Sequence, residues 1–276
     1  MNRIRLVSFI ILFCQSQNFL ANELVQLPNT DGGPLIAKLA PVTKLESQRL
    51  FEIGKKSCDN NCVTSFGDVL GEVDGTIGYS NCKSTCIKPK YSFLNLATKE
   101  ISIHSNNPNN EALHYIGVIH QCVEYARKWW MLNQGITFGS IDSAFEILYL
   151  TEAKNIYNNQ KFPLARSING SAKRPPSRGD LIIYGADRNN PNWRHGHVAV
   201  VVNVNLKMGV VAIAEENYNN QPWQNPKSYS RQLRLFKVGN YYTLLDVSPD
   251  QFNNSTGATI SGWIYPLKSK HSITSL

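Results

Sequence analysis

The 276-residue sequence predicts an α+β fold in which N-terminal helices pack on an antiparallel β-sheet that follows them in the chain. Two observations carry this expectation. Between Cys122 and Tyr157 apolar residues recur at helical spacing, whereas beyond residue 180 the apolar residues gather in short β-branched runs, "LIIYG", "HVAVVVNV" and "GVVAIAEEN". A third observation sets the scale. With 42% apolar and 17% charged residues the chain can bury a full core, and its length suits one domain of about 200 residues plus an extension.

Taken in order, residues 1–21 read as a secretory leader: Arg3 and Arg5, an apolar run from Leu6 to Phe13, then polar and small residues. The run is too short to span a bilayer, and no other segment is long enough to do so. Cleavage is expected after Ser16 or Ala21, and Cys14 follows Leu-Phe rather than a small residue, which argues against a lipid anchor. Residues 22–65 lack a clear period apart from a short helix from Lys44 to Lys55, and read as an extension clipped to the main domain by cysteines. The main domain runs from 66 to 266, with 267–276 as a tail. "FGDVLGEVDGTIGYS" interleaves apolar residues with four glycines, predicting short strands and tight turns.

Two helices are expected next. Val123, Ala126, Trp129, Trp130 and Leu132 give the first its buried face, and Gly135 closes it. The second opens at Ser143 with Glu146 three residues on, a capping-box pattern, and continues through Ala144, Ile147, Leu148 and Tyr157. The β-branched runs that follow read as strands buried on both faces, with a turn at Lys207–Gly209. "YYTLLDV" and "TISGWIYPL" read as two further strands.

The formal net charge is +8, and loss of Arg3 and Arg5 with the leader lowers it by two. The cations are scattered rather than striped, so nucleic acid is not an expected partner. A mildly basic exported chain suits an anionic cell surface and equally suits simple solubility. "NGS" at Asn169 and "NNST" at Asn253 and Asn254 are glycosylation sequons that matter only in a glycosylating host.

Apart from Cys14 there are five cysteines, and four of them form pairs of equal spacing, Cys58 with Cys62 and Cys82 with Cys86. In an exported chain these four make two disulfides, with three connectivities open. Their spacing is unlike zinc-knuckle turns, so no metal is expected. Cys122 is the odd one out, standing at the start of the first helix, where unsatisfied N–H groups favour an anion.

A cysteine nucleophile needs a base, and among six histidines His197 is distinctive because it opens a strand directly after Gly196. His104, His114, His120, His195 and His271 lie in loops, at the helix edge or in the tail. The imidazole must be oriented by an acceptor, and the next strand ends in Glu215, Glu216 and Asn217. Strand alternation puts Glu215 and Asn217 on one face and Glu216 on the other. Cys122, His197 and Glu215 are therefore able to converge across one hairpin; an ordinary buried thiol at Cys122 is the competing reading.

"HQCVEYARKWWMLNQGITFGSIDSAFEI", "GHVAVVVNV", "AEEN", "FGDVLGEVDGTIGYS", "YYTLLDV" and "SGWI" together resemble the amidase domain of glutathionylspermidine synthetase/amidases. Those enzymes are members of the CHAP (cysteine, histidine-dependent amidohydrolase/peptidase) family, on a papain-like (NlpC/P60-type) fold. The resemblance runs from about Phe66 to Tyr265 and leaves out residues 1–65 and the four paired cysteines. It implies Cys122 as nucleophile, His197 as general base and Glu215 as orienting acid, with no cofactor. It places Arg127 on an arginine that follows the family's nucleophile, a substrate contact or a solvated helix cation. The backbone N–H of Cys122, helped by Gln121, is the expected oxyanion donor, with Asn217 beside it; a plain helix cap is the other reading of Gln121.

The expected partner is an amide or peptide substrate, and the chain is expected to act as a monomer outside the cytoplasm, secreted or periplasmic. Only hydrolysis is expected, because the matched blocks stop near Tyr265 and the sequence ends at Leu276. A glutathionylspermidine-like amide is one substrate. A muropeptide is the other, favoured by the leader and by "RGDLIIY", which resembles a family-wide strand opening. Val123 and Glu124 stand against it, where wall-active members usually have threonine and tryptophan. A non-catalytic binding module on the same fold is the third reading. Trp193, Tyr218 and Trp223, in Asn-rich loops flanking the site, are candidate cleft walls or surface packing.

Overall fold

The computed structural model describes residues 44–56, 58, 61–247 and 259–267. The leader, the first part of the extension, Cys14, the Asn253 and Asn254 sequons and most of the tail lie outside the described residues. Helix α1 (Lys44–Lys56) is followed by a hairpin of β1 (Val69–Val73) and β2 (Thr76–Tyr79). Then β3 (Tyr91–Asn95), β4 (Ile101–His104) and β5 (Leu113–Val118) form a three-stranded antiparallel sheet in the order β4-β3-β5. Helix α2 (Cys122–Gln134) comes next, and β6 (Ile136–Thr137) and a 3-10 helix (Ala144–Tyr149) lead into the main sheet.

That sheet adds β7 (Glu152–Asn155), β8 (Lys161–Ile168), β9 (Leu181–Tyr184), β10 (His197–Asn205), β11 (Val210–Ala214), β12 (Arg231–Val238), β13 (Tyr241–Leu245) and β14 (Ile260–Pro266). Among the described residues it has nine strands, ordered β13-β12-β11-β10-β9-β14-β8-β7-β6. The last of the described strands thus lies inside the sheet, paired on one side with β9 and on the other with β8.

The expected layout of helices first and sheet second needs correction, since five strands precede α2. The predicted second helix is also cut short. It is a single 3-10 segment, because Leu150 turns extended (φ −64°, ψ 136°) and the chain continues as β7. The Glu146 carboxylate accepts from the backbone N–H groups of Asp142 and Ser143, so the start signal is real, but Tyr157 is exposed rather than on a buried face. The missed β8 carries Lys161, Pro163 and Arg166 within eight residues, a composition that disguises a strand.

The β-branched runs behave as their composition predicts. In β9, β10 and β11 alternate residues enter two different cores: Leu181, Ile183, Val198 and Val200 pack with α2, while Ile182, Ala199, Val201 and Ile213 pack on the opposite face. Helix α2 is buried on nearly every side, and Trp129 and Trp130 lie in its core face. A helix enclosed in this way must pair the charges it carries, which here are Glu124, Arg127 and Lys128. Asn169 is engaged with the backbone: its amide donates to the Leu244 and Ile260 carbonyls at 3.0 Å each and accepts from Leu244 N–H, so this sequon is not a free glycan acceptor.

Candidate active site

The disulfides are nested. Cys58 bonds Cys86 and Cys62 bonds Cys82, and among the described residues Cys122 is the free cysteine. Sequence separations of 28 and 20 correspond to about 3 kcal/mol of stabilisation each in the chain-entropy view. Cys122 is the first residue of α2, as expected, with Gln121 at the N-cap. The chain enters this helix through His120, which adopts a left-handed conformation (φ 60°) with its ring packed against Phe66 and Tyr79. Burial pushes the His120 ring down to about 4, with Lys128 and Lys88 acting in the same sense and Glu124 against it.

His197 opens β10 opposite Tyr184 of β9. The preceding Gly196 has φ 64°, and a Cβ there would sit 2.5 Å from the Tyr184 carbonyl oxygen, so glycine alone permits this entry. The His197 Nε2 lies 2.7 Å from Glu215 Oε2, and Cys122 lies close enough to act electrostatically on the same ring. Burial alone would lower the His197 pKa. The hydrogen bonds and charges of Cys122 and Glu215 outweigh it and raise the ring to about 9.

Glu215 is 3% exposed and carries a full complement of donors. Its Oε1 accepts from Arg231 Nε at 2.5 Å and Ser230 Oγ at 3.1 Å, and its Oε2 accepts from Arg231 Nη2 at 3.2 Å besides meeting His197. Burial opposes its ionisation, but the Arg231 guanidinium and His197 hold the carboxyl down at about 2. Arg231 also bonds Asp246 and Tyr184 Oη, and Tyr184 Oη donates to Asp246 at 2.9 Å. Sequence reasoning missed Arg231, Ser230, Tyr184 and Asp246. The available signal was physical: a carboxylate at the end of a wholly apolar strand requires a buried cation, and Arg231 opens the neighbouring strand.

Glu216 points the other way, as strand alternation requires. It accepts from Tyr79 N–H at 2.9 Å and from Lys128 Nζ at 3.2 Å, and Lys128 also reaches Glu124 Oε2 at 3.1 Å. Ser92 Oγ donates to Glu124 Oε1 at 2.7 Å. Asn217 sits at φ 57°, outside strand geometry, yet its amide donates to Gln121 Oε1 at 2.7 Å. Gln121 Nε2 in turn donates to the Cys86 carbonyl at 3.0 Å, so its side chain makes no helix cap.

Cys122, Gln121, His197 and Asn217 line a cleft of about 470 Å3. Arg127 reaches it too, but is buried rather than solvated: its guanidinium donates to the Ile116 and Gly139 carbonyls and lies over the Phe138 ring. Trp193 is a buried cleft wall against His197 and Tyr218, whereas Trp223 packs away from the cleft, against Gly71, Gly78 and Tyr125. The short helix expected from Lys44 to Lys55 is present as α1, but its place was not foreseen: residues 49–51, 53 and 54 line the same cleft.

A buried thiol at a helix start, facing an imidazole held by a carboxylate, is the arrangement of a cysteine hydrolase. Residues 113–217 match the CHAP domain, so the chain carries a domain of that family. Among curated proteins it is similar to the bifunctional glutathionylspermidine synthetase/amidases of Escherichia coli (strain K12) and Shigella flexneri, 30% identical over 200 residues, which cover 72% of this chain and 29% of each relative. It is also similar to the trypanothione synthetase of Crithidia fasciculata, 30% identical over 182 residues, or 66% of this chain and 24% of that one. The chain thus spans less than a third of the length of these relatives. A crystal structure of Ly7917 with the hydrolyzing product of MDP overlaps at a TM-score of 0.27 and 18% identity over 54% of each chain, a likeness that carries no argument.

Proposed function

We infer that the protein is an exported cysteine amidohydrolase that cleaves an amide bond through Cys122, His197 and Glu215. The observation that supports this reading is the bond between His197 Nε2 and Glu215 at 2.7 Å, on a ring that lines the same cleft as the free cysteine. The Cys122 sulfur attacks the amide carbonyl, and a C–S bond forms as the carbonyl oxygen takes up negative charge. Backbone N–H groups at the start of α2 receive that oxyanion, with one Gln121 amide hydrogen available beside the one donated to Cys86. The His197 imidazolium protonates the departing amine, the C–N bond breaks and a thioester remains. Water deprotonated by His197 then attacks the thioester and releases the carboxylic acid and the thiol. Glu215 keeps the ring in position and stabilises its charge.

Similarity to the synthetase/amidases makes a glutathionylspermidine-like amide the first substrate to offer. Peptidoglycan amides are the second reading, supported by the two disulfides, which suit an oxidising compartment outside the cytoplasm. None of the described helices is long and apolar enough to cross a membrane. Incubation of the protein with glutathionylspermidine and with muropeptides, followed by product mass determination, separates the two. Cys122→Ala should lower hydrolysis by about 10^4-fold or more with an unchanged circular dichroism spectrum. Retained turnover in that variant would sink the assignment.

A further inference from the structure

The extension that precedes the CHAP domain contributes to the cleft. Helix α1 is held there by three contacts. The Cys58–Cys86 disulfide ties its C-terminal end to the loop before β3, and Ile87 N–H donates to the Gly54 carbonyl at 3.1 Å. Gly54 itself is buried so closely on Ile87 that a Cβ would lie 2.6 Å from that side chain. The loop that receives α1 is also the one whose Cys86 carbonyl holds Gln121, the residue before Cys122. The helix is therefore fastened to the segment that orients the nucleophile.

The charges lining this cleft divide into engaged and available groups. Glu124 is paired with Lys128, and Arg127 is bonded to backbone carbonyls. Arg49 of α1 and Arg194 of the loop before β10 line the cleft with no ion pair among the described residues, against a single exposed carboxylate, Asp142. We propose that α1 is a specificity wall of the amide-binding cleft and that Arg49 on it selects substrates carrying an anionic group near the scissile bond. This rests on the reading of Cys122 as the reactive thiol at the floor of the cleft, and it assigns the extension a part in substrate choice.

The test uses the full oxidised chain and two small alkylating probes of nearly equal shape, anionic iodoacetate and neutral iodoacetamide, with modification at Cys122 followed by peptide mass. The rate ratio of the two probes, normalised to free cysteine, reads the cleft's charge without any need for turnover. At low salt Arg49→Glu should lower that ratio about three- to tenfold while the iodoacetamide rate holds, and Arg49→Lys should restore it. The double change Cys58→Ala with Cys86→Ala, which unfastens α1, should lower the ratio in the same direction. An unchanged ratio in Arg49→Glu with intact hydrolysis would overturn the proposal and leave the amidase reading standing. A lowered ratio in a protein that cleaves neither substrate class would support the wall and sink the amidase reading.

Discussion

Glu215 and Glu216 leave the end of β11 side by side, both almost wholly buried, and are accommodated by different means. Glu215 faces a cation on each side, His197 and Arg231, and is held ionised at about 2. Glu216 shares one cation, Lys128, with a second carboxylate, Glu124; burial, with Glu124 adding to it and Lys128 opposing, raises its pKa well above the ordinary carboxylate range. Its Oε2 has no hydrogen-bond partner within bonding geometry among the described residues. Glu216 therefore keeps its proton to a higher pH than an ordinary carboxyl. Burial by itself does not decide whether a carboxylate works as an anion; the count of cations around it does.

Substitutions can break this contrast. Glu215→Gln should lower hydrolysis by about 10^2- to 10^4-fold, because an amide orients the ring but does not balance an imidazolium. Arg231→Met removes the cation that Glu215 and Asp246 share and should destabilise the fold by about 3–5 kcal/mol, read as a lower urea midpoint. The pH profile sharpens it. The His197 pKa is raised from 6.5 to about 9, so the stability carried by its proton is complete below 6.5 and lost as the pH rises through 9. Hydrolysis should fall along an alkaline limb near pH 9, and that limb should move to lower pH in Glu215→Gln. Glu216→Gln should have the smallest effect, within about 1 kcal/mol of stability and about threefold in rate, because burial already disfavours the charged form of this carboxyl. A large loss of activity in Glu216→Gln would show that the charge on this side matters too.

How much of this was legible in the sequence follows from the range of each signal. The start of α2, the entry of His197 into its strand and the alternation of Glu215 and Glu216 depend on nearest neighbours, and periodicity exposed them. The central strands were legible because burial on both faces leaves only β-branched and aliphatic residues. By contrast, β3 to β5 and β7 to β8 are short or interrupted by polar residues and proline, and β8 has one of its two partners, β14, almost a hundred residues further on. The Arg231 network is a three-dimensional solution to a charge problem that the sequence poses without answering. The placement of α1 over the cleft depends on which cysteines pair, and four cysteines leave three pairings open. Gln121 looked like a cap or an oxyanion donor, and the Cys86 carbonyl and Asn217 that hold it were not visible from spacing.

The position of β14 carries a consequence for how the molecule assembles. Residues 260–266 fill the slot between β9 and β8, with Trp263 and Ile264 wholly buried. During synthesis, strands β6 to β8 and β9 to β13 are made before the strand that joins them, and each group presents an unpaired edge until it arrives. Refolding should therefore be slow, and its last step should be the insertion that brings both halves into one sheet. Catalytic competence is then gained late and as a unit, when a nascent chain that already holds its cysteine, histidine and glutamate first acquires a continuous platform beneath them.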